Sequence, residues 1–455
     1  MTDQTNSREI ALDVLTEVLE EGGFGHLVLN RALEKYLYLE KRERAFVTRL
    51  VEGTIEYVIQ IDAVIDQASK IKVKKMKPFI RTLLRMSVYQ ILYMERVPDS
   101  AVCNEAVKLA KKRRFSGLSG FVNGVLRSVS RKKEELAFDD PALRYAMPQW
   151  IFSLFERQYG RERAERIAAA FLEERPLTVR VNTSLTTAEE AKESLKKQGI
   201  AAEAWGGLRP DRRFSLLTLS GYDSLEMVEE FLDGRITVQD PSSALAACAA
   251  DPENGQFVLD VCSAPGGKSI HAADLLAGSG MVEARDLTEY KIGLVRENVE
   301  RCGFSNIREK VWDAVVFDET MEEKADIVLA DLPCSGLGIL GKKPDIKLRL
   351  KEEDLLKLQS LQRTILETVF RYVKPGGLMI YSTCTINEGE NEENADWILE
   401  NLPFEPESLK DRIPDAFLSH CTGPDAHRIQ ILPDAFACDG FFVAAFRRKT
   451  DGEEA

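Results

Sequence analysis

Short apolar runs alternate with helical segments through the second half of the chain, and this alternation restricts the fold more than any other feature. The predicted strands cover residues 257–262, 281–286, 307–311, 325–331 and 378–385, and the predicted helices cover 268–277, 289–302, 352–373 and 390–400. Two late runs, 428–433 and 441–446, predict an antiparallel hairpin at the sheet edge. Such alternation is typical of a mostly parallel, doubly wound α/β sheet of the Rossmann-like kind. We expect this domain to cover residues 251–449.

The first 140 residues follow a helical pattern instead. Apolar residues recur at helical spacing from Ile10 to Leu37, and further helices are predicted as far as residue 130. We therefore expect an all-α domain over 1–140 and a helical connector over 141–175. A small α+β subdomain is expected over 176–250, with strands at 176–183, 213–220 and 235–240 and helices at 187–198 and 222–232. In its first strand, Arg180 and Asn182 should face away from the core side of Val179 and Val181.

Charge is distributed unevenly along the chain. The net charge is −13, yet residues 65–133 contain 17 Lys and Arg against 4 Asp and Glu. Three basic runs account for most of this excess, at Lys70–Lys77, Lys108–Arg114 and Arg127–Lys133. Such runs are often only solvated helix ends, but their clustering in one helical domain equally favours a nucleic-acid-binding surface.

Other classes of protein are disfavoured by the sequence. No run of 18 apolar residues exists, and the first residues form no apolar signal core, so we predict a cytoplasmic protein without a membrane partner. The eight cysteines include no C-x-x-C pair, and the four histidines are scattered, which argues against a metal site. A cytoplasmic setting also keeps thiols reduced and available for chemistry.

The loop after the first strand of the α/β domain predicts a ligand site. It reads Cys262, Ser263, Ala264, Pro265, Gly266, Gly267, Lys268. Two glycines between a strand and a helix let backbone amides approach an anionic group closely. The pattern matches neither G-x-G-x-x-G nor a complete phosphate loop. It therefore suits a ligand that carries a carboxylate and no pyrophosphate, although an ordinary turn would look similar.

Two further carboxylates follow neighbouring strands. Asp286 ends the second strand, where an acidic side chain can accept hydrogen bonds from both ribose hydroxyls. Asp313 follows the third strand, in position to bind an adenine amino group. Either residue alone would more simply be a helix cap. Together with the glycine loop they describe a nucleoside with an amino-acid tail, which is S-adenosylmethionine.

Two cysteines follow two more strands of the same predicted sheet. Asp331 and Cys334 lie in D-L-P-C-S-G-L-G, and Cys384 ends the apolar run L-M-I-Y-S-T-C-T. A thiolate that adds to carbon 6 of a pyrimidine makes carbon 5 nucleophilic enough to accept a methyl group. Asp331 would hydrogen-bond the cytosine edge, and Lys268 is the one obvious cation that could favour a thiolate. Spacing alone does not decide which thiol attacks.

These motifs resemble those of the RNA cytosine-5 methyltransferases. The resemblance rests on D-V-C-S-A-P-G-G-K, D-L-P-C-S-G-L-G and Y-S-T-C-T, with V-Q-D-P-S-S, R-V-N-T and the closing D-G-F-F-V-A-A-F. The front of the chain, with R-x-x-A-L-x-V-L at 8–15 and F-V-N-G-V-L-R at 121–127, is similar to the NusB-type RNA-binding domain. The whole chain thus resembles the bacterial 16S rRNA methyltransferases of the RsmB type. It departs from the usual pattern at Ser263 and Leu332, where alanine is commoner.

The resemblance implies a function and assigns roles to the two thiols. Cys384 would attack carbon 6, and Cys334 would assist product release. Residues 262–268, Asp286, Asp313 and Asp331 would line the pocket for S-adenosylmethionine and cytosine. The substrate would be one cytosine of 16S ribosomal RNA, the position-967 type of the family, free or in an assembling small subunit, and the protein a monomer. Alternatives are a tRNA cytosine-5 methyltransferase and a NusB-like RNA-binding factor without catalysis.

Overall fold

The protein is described here by a computed structural model that covers residues 6–36 and 38–450. The predicted helix position Leu37 lies outside these residues. The chain divides into two compact units. The first runs to Leu172 and includes Leu340–Leu350, and the second comprises Glu173–Ile339 and the chain from Lys351 onward. The predicted limits at residues 140, 175 and 250 stay predictions.

The first unit is helical, as the apolar spacing predicts. Its helices are α1 (Ser7–Glu20), α2 (Gly25–Lys35), α3 (Lys41–Glu56), α4 (Val58–Ala68), α5 (Pro78–Tyr93), α6 (Asp99–Lys112), α7 (Ser119–Lys132), α8 (Pro141–Arg144), α9 (Gln149–Tyr159) and α10 (Arg161–Ala170). Pro78 begins α5, where its missing N–H would have no helical acceptor in any case. The apolar faces of α1 to α7 enclose one core that includes Leu12, Leu50 and Leu83.

The second unit begins with a small antiparallel sheet. Its elements are β1 (Leu177–Val181), α11 (Ala188–Lys197), β2 (Ala201–Ala204), β3 (Leu216–Ser220), α12 (Glu229–Leu232) and β4 (Ile236–Val238). The described strands pair in the order β2-β3-β1-β4. The prediction missed β2, whose sequence A-A-E-A lacks a clear apolar face. The helix predicted over 222–232 is wrong for its first half, where a 3-10 turn at Leu225–Met227 precedes the four residues of α12.

Arg180 and Asn182 do face away from Val179 and Val181, but that face is buried as well. Arg180 is 1% exposed and its Nη1 donates to Asp274 Oδ2 at 3.1 Å. The same carboxylate accepts from the backbone N–H of Thr183, so the subdomain is joined to the helix that carries Asp274. A buried ion pair with further hydrogen bonds of this kind fixes orientation more than it adds stability.

The rest of the second unit forms the predicted α/β domain. Its elements are α13 (Pro241–Ala250), β5 (Phe257–Asp260), α14 (Gly267–Leu275), β6 (Met281–Asp286), α15 (Glu289–Cys302), β7 (Ile307–Val311), β8 (Ala325–Asp331), α16 (Ile346–Arg349, which belongs to the first unit), α17 (Glu352–Val369), β9 (Val373–Thr383), α18 (Glu392–Asn401), β10 (Phe404–Pro406), α19 (Asp415–Leu418), β11 (Cys421–Thr422), β12 (Arg428–Ile431), α20 (Pro433–Phe436) and β13 (Phe441–Arg448).

The described strands of this domain form one sheet in the order β11-β12-β13-β9-β8-β5-β6-β7, and β10 pairs with β13. Strands β7, β6, β5, β8 and β9 are parallel to their neighbours in that series, and β13 joins β9 antiparallel. The expected mostly parallel core with an antiparallel edge is therefore confirmed. The chain moves outward from β5 to β7 and then returns to β8, which makes the gap between β5 and β8 the topological switch point where ligands bind in such sheets.

Two features of this domain escaped prediction. Helix α13 (P-S-S-A-L-A-A-C-A-A) is buried on nearly every side, so its sequence shows no amphipathic period. Strand β9 begins at Val373, five residues before the apolar run, and pairs with β8 through a register shift near its start. Among the described residues, no helix combines the length and the apolar character needed to cross a membrane.

Candidate functional site

The predicted glycine loop lies at the switch point and is braced by the neighbouring strand. Ser263 donates from its N–H and its hydroxyl to the carbonyl of Arg285, at 2.8 and 2.9 Å. The Ala264 N–H donates to Asp286 Oδ2 at 2.9 Å. Gly266 has a φ of +104°, which a side chain would strain. A Cβ at Gly267, the first residue of α14, would meet no atom within 4 Å, so the space that an incoming carboxylate would require is open.

Asp286 and Asp313 differ in their exposure and in the number of contacts they make within the protein. Asp286 is 3% exposed, and its Oδ1 accepts from the Leu287 N–H at 2.7 Å and pairs with Lys291 Nζ at 2.9 Å. The exposed Asp313 accepts from the Val315 N–H at 3.1 Å within its own turn. Both carboxylates thus follow the ends of adjacent parallel strands, β6 and β7, as the sequence predicts.

A buried carboxyl that the sequence patterns did not single out lies beneath the glycine loop. Asp260 ends β5, is fully buried, and accepts from Ser269 Oγ at 2.5 Å, while its Oδ1 meets no donor in hydrogen-bonding geometry. Burial raises the pKa of Asp260 to about 7, against the stabilising hydrogen bond from Ser269. Its place as the first residue of the D-V-C-S-A-P-G-G-K motif was the available signal. A buried carboxyl with an unused oxygen suits a ligand that brings an ammonium group.

Lys268 pairs with a carboxylate rather than with a thiol. Its Nζ lies 2.6 Å from Asp331 Oδ2, and Ser382 Oγ donates to Asp331 Oδ1 at 2.8 Å. Burial lowers the pKa of Lys268, but the charge and hydrogen bond of Asp331 outweigh it and hold that pKa above its usual value. The prediction that Lys268 is the cation of the site thus needs refinement, since its charge is already opposed by Asp331.

The two predicted cysteines meet, although 50 residues separate them in the chain. Their Sγ atoms are 3.3 Å apart, and both side chains are partly exposed. The pKa of Cys334 is raised well above its usual range, first by its hydrogen bond with Cys384 and then by burial. Either sulfur can donate in this contact, and the raised pKa favours the protonated form of Cys334.

The glycine loop, the Lys268–Asp331 pair and the two thiols thus follow the carboxyl ends of β5, β8 and β9, three adjacent strands. The sequence patterns gave no role to the hydroxyl groups that support them, in Ser335, Ser382 and Thr385, although each lies inside or beside a quoted motif. Within the described part of the chain, no group of three or more His, Cys, Asp or Glu side chains is arranged to hold a metal ion.

A parallel sheet with a glycine loop at its switch point and an antiparallel strand beside it defines a methyltransferase of the Rossmann-like class. Sequence comparison gives the family. The family described as 16S rRNA methyltransferase RsmB/F matches residues 247–447, the NusB family matches 5–131, and a ferredoxin-like domain of the RsmF/B-like methyltransferases matches 147–209.

Whole-length relatives agree with this assignment. The probable ribosomal RNA small subunit methyltransferase B of Bacillus subtilis is 36% identical over 98% of this chain and 99% of its own. The ribosomal RNA small subunit methyltransferase B of Serratia proteamaculans is 32% identical over 98% of this chain and 99% of its own. A crystal structure of a methyltransferase homologue from Pyrococcus horikoshii, 29% identical, covers 68% of this chain and 98% of its own with a TM-score of 0.58. The chain belongs to the RsmB/F methyltransferase family.

Proposed function

We propose that this protein uses S-adenosylmethionine to methylate carbon 5 of one cytosine in 16S ribosomal RNA, of the position-967 type, through a covalent adduct with Cys384. The contact between the sulfurs of Cys384 and Cys334 at the carboxyl ends of β8 and β9 carries this proposal. The names of the relatives support the rRNA substrate. A cytoplasmic monomer is the state we expect for the protein.

The residues of the switch point fit S-adenosylmethionine. Gly267 offers its backbone amide and open space to the carboxylate of the cofactor, and Asp260 offers an unused buried oxygen to its ammonium group. Asp286 would accept hydrogen bonds from the ribose hydroxyls, exchanging part of its present pairing with Lys291, and Asp313 would bind the adenine amino group. When bound, the cofactor supplies an electrophilic methyl group.

The chain's own residues carry the covalent steps. The Cys384 sulfur forms a bond to carbon 6 of the cytosine, and the π electrons of the carbon 5–carbon 6 bond become available at carbon 5. Asp331, held by Lys268 and Ser382, would hydrogen-bond the cytosine edge. After carbon 5 has gained the methyl group, a base takes its proton, the electrons of that carbon–hydrogen bond restore the ring double bond, and the carbon–sulfur bond breaks with its electrons on the Cys384 sulfur. The S–H of Cys334 then stabilises the departing Cys384 thiolate.

The exposed basic run at residues 70–77 of the first unit supports RNA docking. Lys74 and Lys75 are exposed beside two buried anchors, Val73 and Met76, in the run at 70–77. Other basic residues are neutralised locally, since Lys112 pairs with Glu9 at 2.8 Å. The exposed lysines would contact phosphates, which orient RNA without reading its sequence.

Methyl transfer with purified protein tests the function. Transcripts of 16S rRNA and of tRNA would be incubated with S-adenosylmethionine, and 5-methylcytosine would be mapped by bisulfite sequencing. We expect one modified cytosine in 16S rRNA and none in tRNA. Modification of tRNA alone would favour the tRNA alternative, and binding of either RNA without any modification would favour the RNA-binding factor. Mapping in a strain that lacks the protein identifies the same nucleotide in vivo.

A further inference from the structure

The carboxylate of Glu390 is fully buried next to the two thiol loops. It accepts from the Ser335 N–H at 2.9 Å and the Ser335 hydroxyl at 2.5 Å, from Asn387 Nδ2 at 3.1 Å and from Gln362 Nε2 at 3.0 Å. These four donors are neutral groups. Each oxygen of the carboxylate therefore receives two hydrogen bonds, and the negative charge is solvated without a countercharge among those donors.

The donors of Glu390 come from both cysteine loops. Ser335 directly follows Cys334, whereas Asn387 lies three residues after Cys384. The hydroxyls of Ser335 and Thr385 also meet at 2.7 Å, which joins the residues that follow the two cysteines. The Glu390 side chain thus links the loop after β8, which carries Cys334, to the residues after β9, which include Cys384.

The fourth donor, Gln362 of α17, makes the pocket around Glu390 specific for a side chain that accepts hydrogen bonds. Gln362 Nε2 also donates to the carbonyl of Pro333 at 2.9 Å, and Gln362 Oε1 accepts from Asn394 Nδ2 at 2.8 Å. These two bonds fix which end of the Gln362 amide faces Glu390. A glutamine at position 390 would place its own N–H group against these donors, whereas both oxygens of a carboxylate accept hydrogen bonds.

We propose that Glu390 is a positioning residue that holds Cys334 against Cys384 and, through its buried negative charge, keeps Cys334 as the protonated thiol so that Cys384 is the one that attacks. The inference rests on the proposed function for the identity of the attacking sulfur. It deepens that function, because the sequence motifs alone left the choice between the two thiols to family resemblance.

Electrostatics at the site agree with this role. The Glu390 charge adds to the hydrogen bond with Cys384, to burial and to the Cys384 charge in raising the pKa of Cys334. The other titratable groups around the thiols are Tyr381 on β9 and the Lys268–Asp331 pair, in which the lysine faces Cys384. Glu390 thus adds negative charge beside Cys334, whereas the positive charge of Lys268 near Cys384 is balanced by Asp331.

Two substitutions test the charge and the hydrogen bonds of Glu390. Glu390→Gln removes the charge and also sets an amide N–H against the donors of the pocket, whereas Ser335→Ala removes one hydroxyl donor and keeps the charge. Glu393→Gln is the matched control, since Glu393 is exposed three residues further along. Iodoacetamide alkylation of Cys334, followed by peptide mass spectrometry across pH, reports its thiolate fraction without any RNA. The rate of adduct formation with RNA that contains 5-fluorocytidine reports attack, because fluorine at carbon 5 cannot leave as a proton would.

We expect Glu390→Gln to move the midpoint of Cys334 alkylation down by about one pH unit and to slow adduct formation at least about tenfold. Ser335→Ala should slow adduct formation and leave the pH midpoint of Cys334 alkylation unchanged. Glu393→Gln should change neither the rate nor the midpoint. An unmoved midpoint in folded Glu390→Gln overturns the proposal. If Glu390→Gln does not fold, adduct formation by Ser335→Ala at the wild-type rate overturns it. Absence of any adduct with the wild-type protein contradicts the proposed function instead, and the alkylation result still decides the role of Glu390.

Discussion

The Gly440 N–H donates to the carbonyl of Gly338 at 2.8 Å, and neither position has room for a side chain. The Gly338 N–H donates in turn to the carbonyl of Cys384 at 3.1 Å. A Cβ at position 338 would overlap the carbonyl oxygen of Gly440 and lie 2.8 Å from that of Cys384. The backbone behind Cys384 is therefore held by two glycines, from D-L-P-C-S-G-L-G and from D-G-F-F.

Gly338→Ala should abolish or strongly reduce methyl transfer, because the new methyl group must displace the Cys384 backbone or the 440 loop. Activity and thermal unfolding would be measured together. Gly124→Ala is the control, since Gly124 is an exposed position inside α7 with open space around it. Alanine there should leave activity unchanged and stabilise the helix by up to about 1 kcal/mol. Wild-type activity in Gly338→Ala would contradict the close packing of the two glycines behind Cys384.

Cys384→Ala should reduce methyl transfer below detection, since the proposed nucleophile is removed and the neighbouring Cys334 has a raised pKa that disfavours its thiolate. Its affinity for S-adenosylmethionine, measured by isothermal titration calorimetry, should stay within about twofold of wild type, because the glycine loop is untouched. Cys248→Ala is a useful comparison, as Cys248 is buried in α13 away from the motifs. Turnover by Cys384→Ala at the wild-type rate would remove the nucleophile assignment.

Cys334→Ala should trap the protein on RNA. Without the Cys334 S–H at 3.3 Å, the departing Cys384 thiolate loses its hydrogen-bond donor and the carbon–sulfur bond breaks slowly. A protein–RNA species should then accumulate on a denaturing gel, and the double variant Cys334→Ala with Cys384→Ala should form none. Normal turnover by Cys334→Ala, with no such species, would exclude a role in release.

The raised pKa of Asp260 predicts a dependence of stability on pH. The pKa of Asp260 is about 7 in the folded protein and ~4 in the unfolded chain. Between those pH values the folded state binds one more proton than the unfolded chain. The free energy of unfolding therefore falls as pH rises through that window. Asp260→Asn removes this contribution. In urea unfolding, its stability relative to wild type should therefore increase from pH 5 to pH 7, by up to about 1.4 kcal/mol per pH unit, and level off above pH 8. A pH-independent difference would contradict the burial of a titrating carboxyl.

Lys74→Ala with Lys75→Ala should weaken RNA binding and flatten its salt dependence. For each lysine that binds a phosphate, its removal should reduce the slope of log K against log salt by about 0.7–0.9. Lys196→Ala with Lys197→Ala is the matched control, because it removes two exposed charges from α11 in the other unit. If the two double variants weaken RNA binding equally, Lys74 and Lys75 are not part of a specific docking surface.

Much of the fold could be predicted because strand and helix periods are local properties of the sequence. The strands at 281–286, 307–311 and 325–331 have the predicted bounds. Helix α13 was missed because a helix buried all round has no polar face, and β2 because A-A-E-A has no apolar one. Parallel strands bring their carboxyl ends to one edge, so the loops after them could be grouped into a single site before any distance was known.

The sequence by itself predicted that a glycine loop, two carboxylates and two cysteines would lie at one edge of a parallel sheet, since the alternation of strands and helices is encoded in local patterns. Only the tertiary structure decided how these groups are paired. Lys268 neutralises Asp331 instead of a thiol, Asp260 is buried with a free oxygen, and Glu390 receives donors from both cysteine loops. Ionisation depends on burial and on neighbours distant in the chain, so the difference between the two thiols exists only in the folded protein.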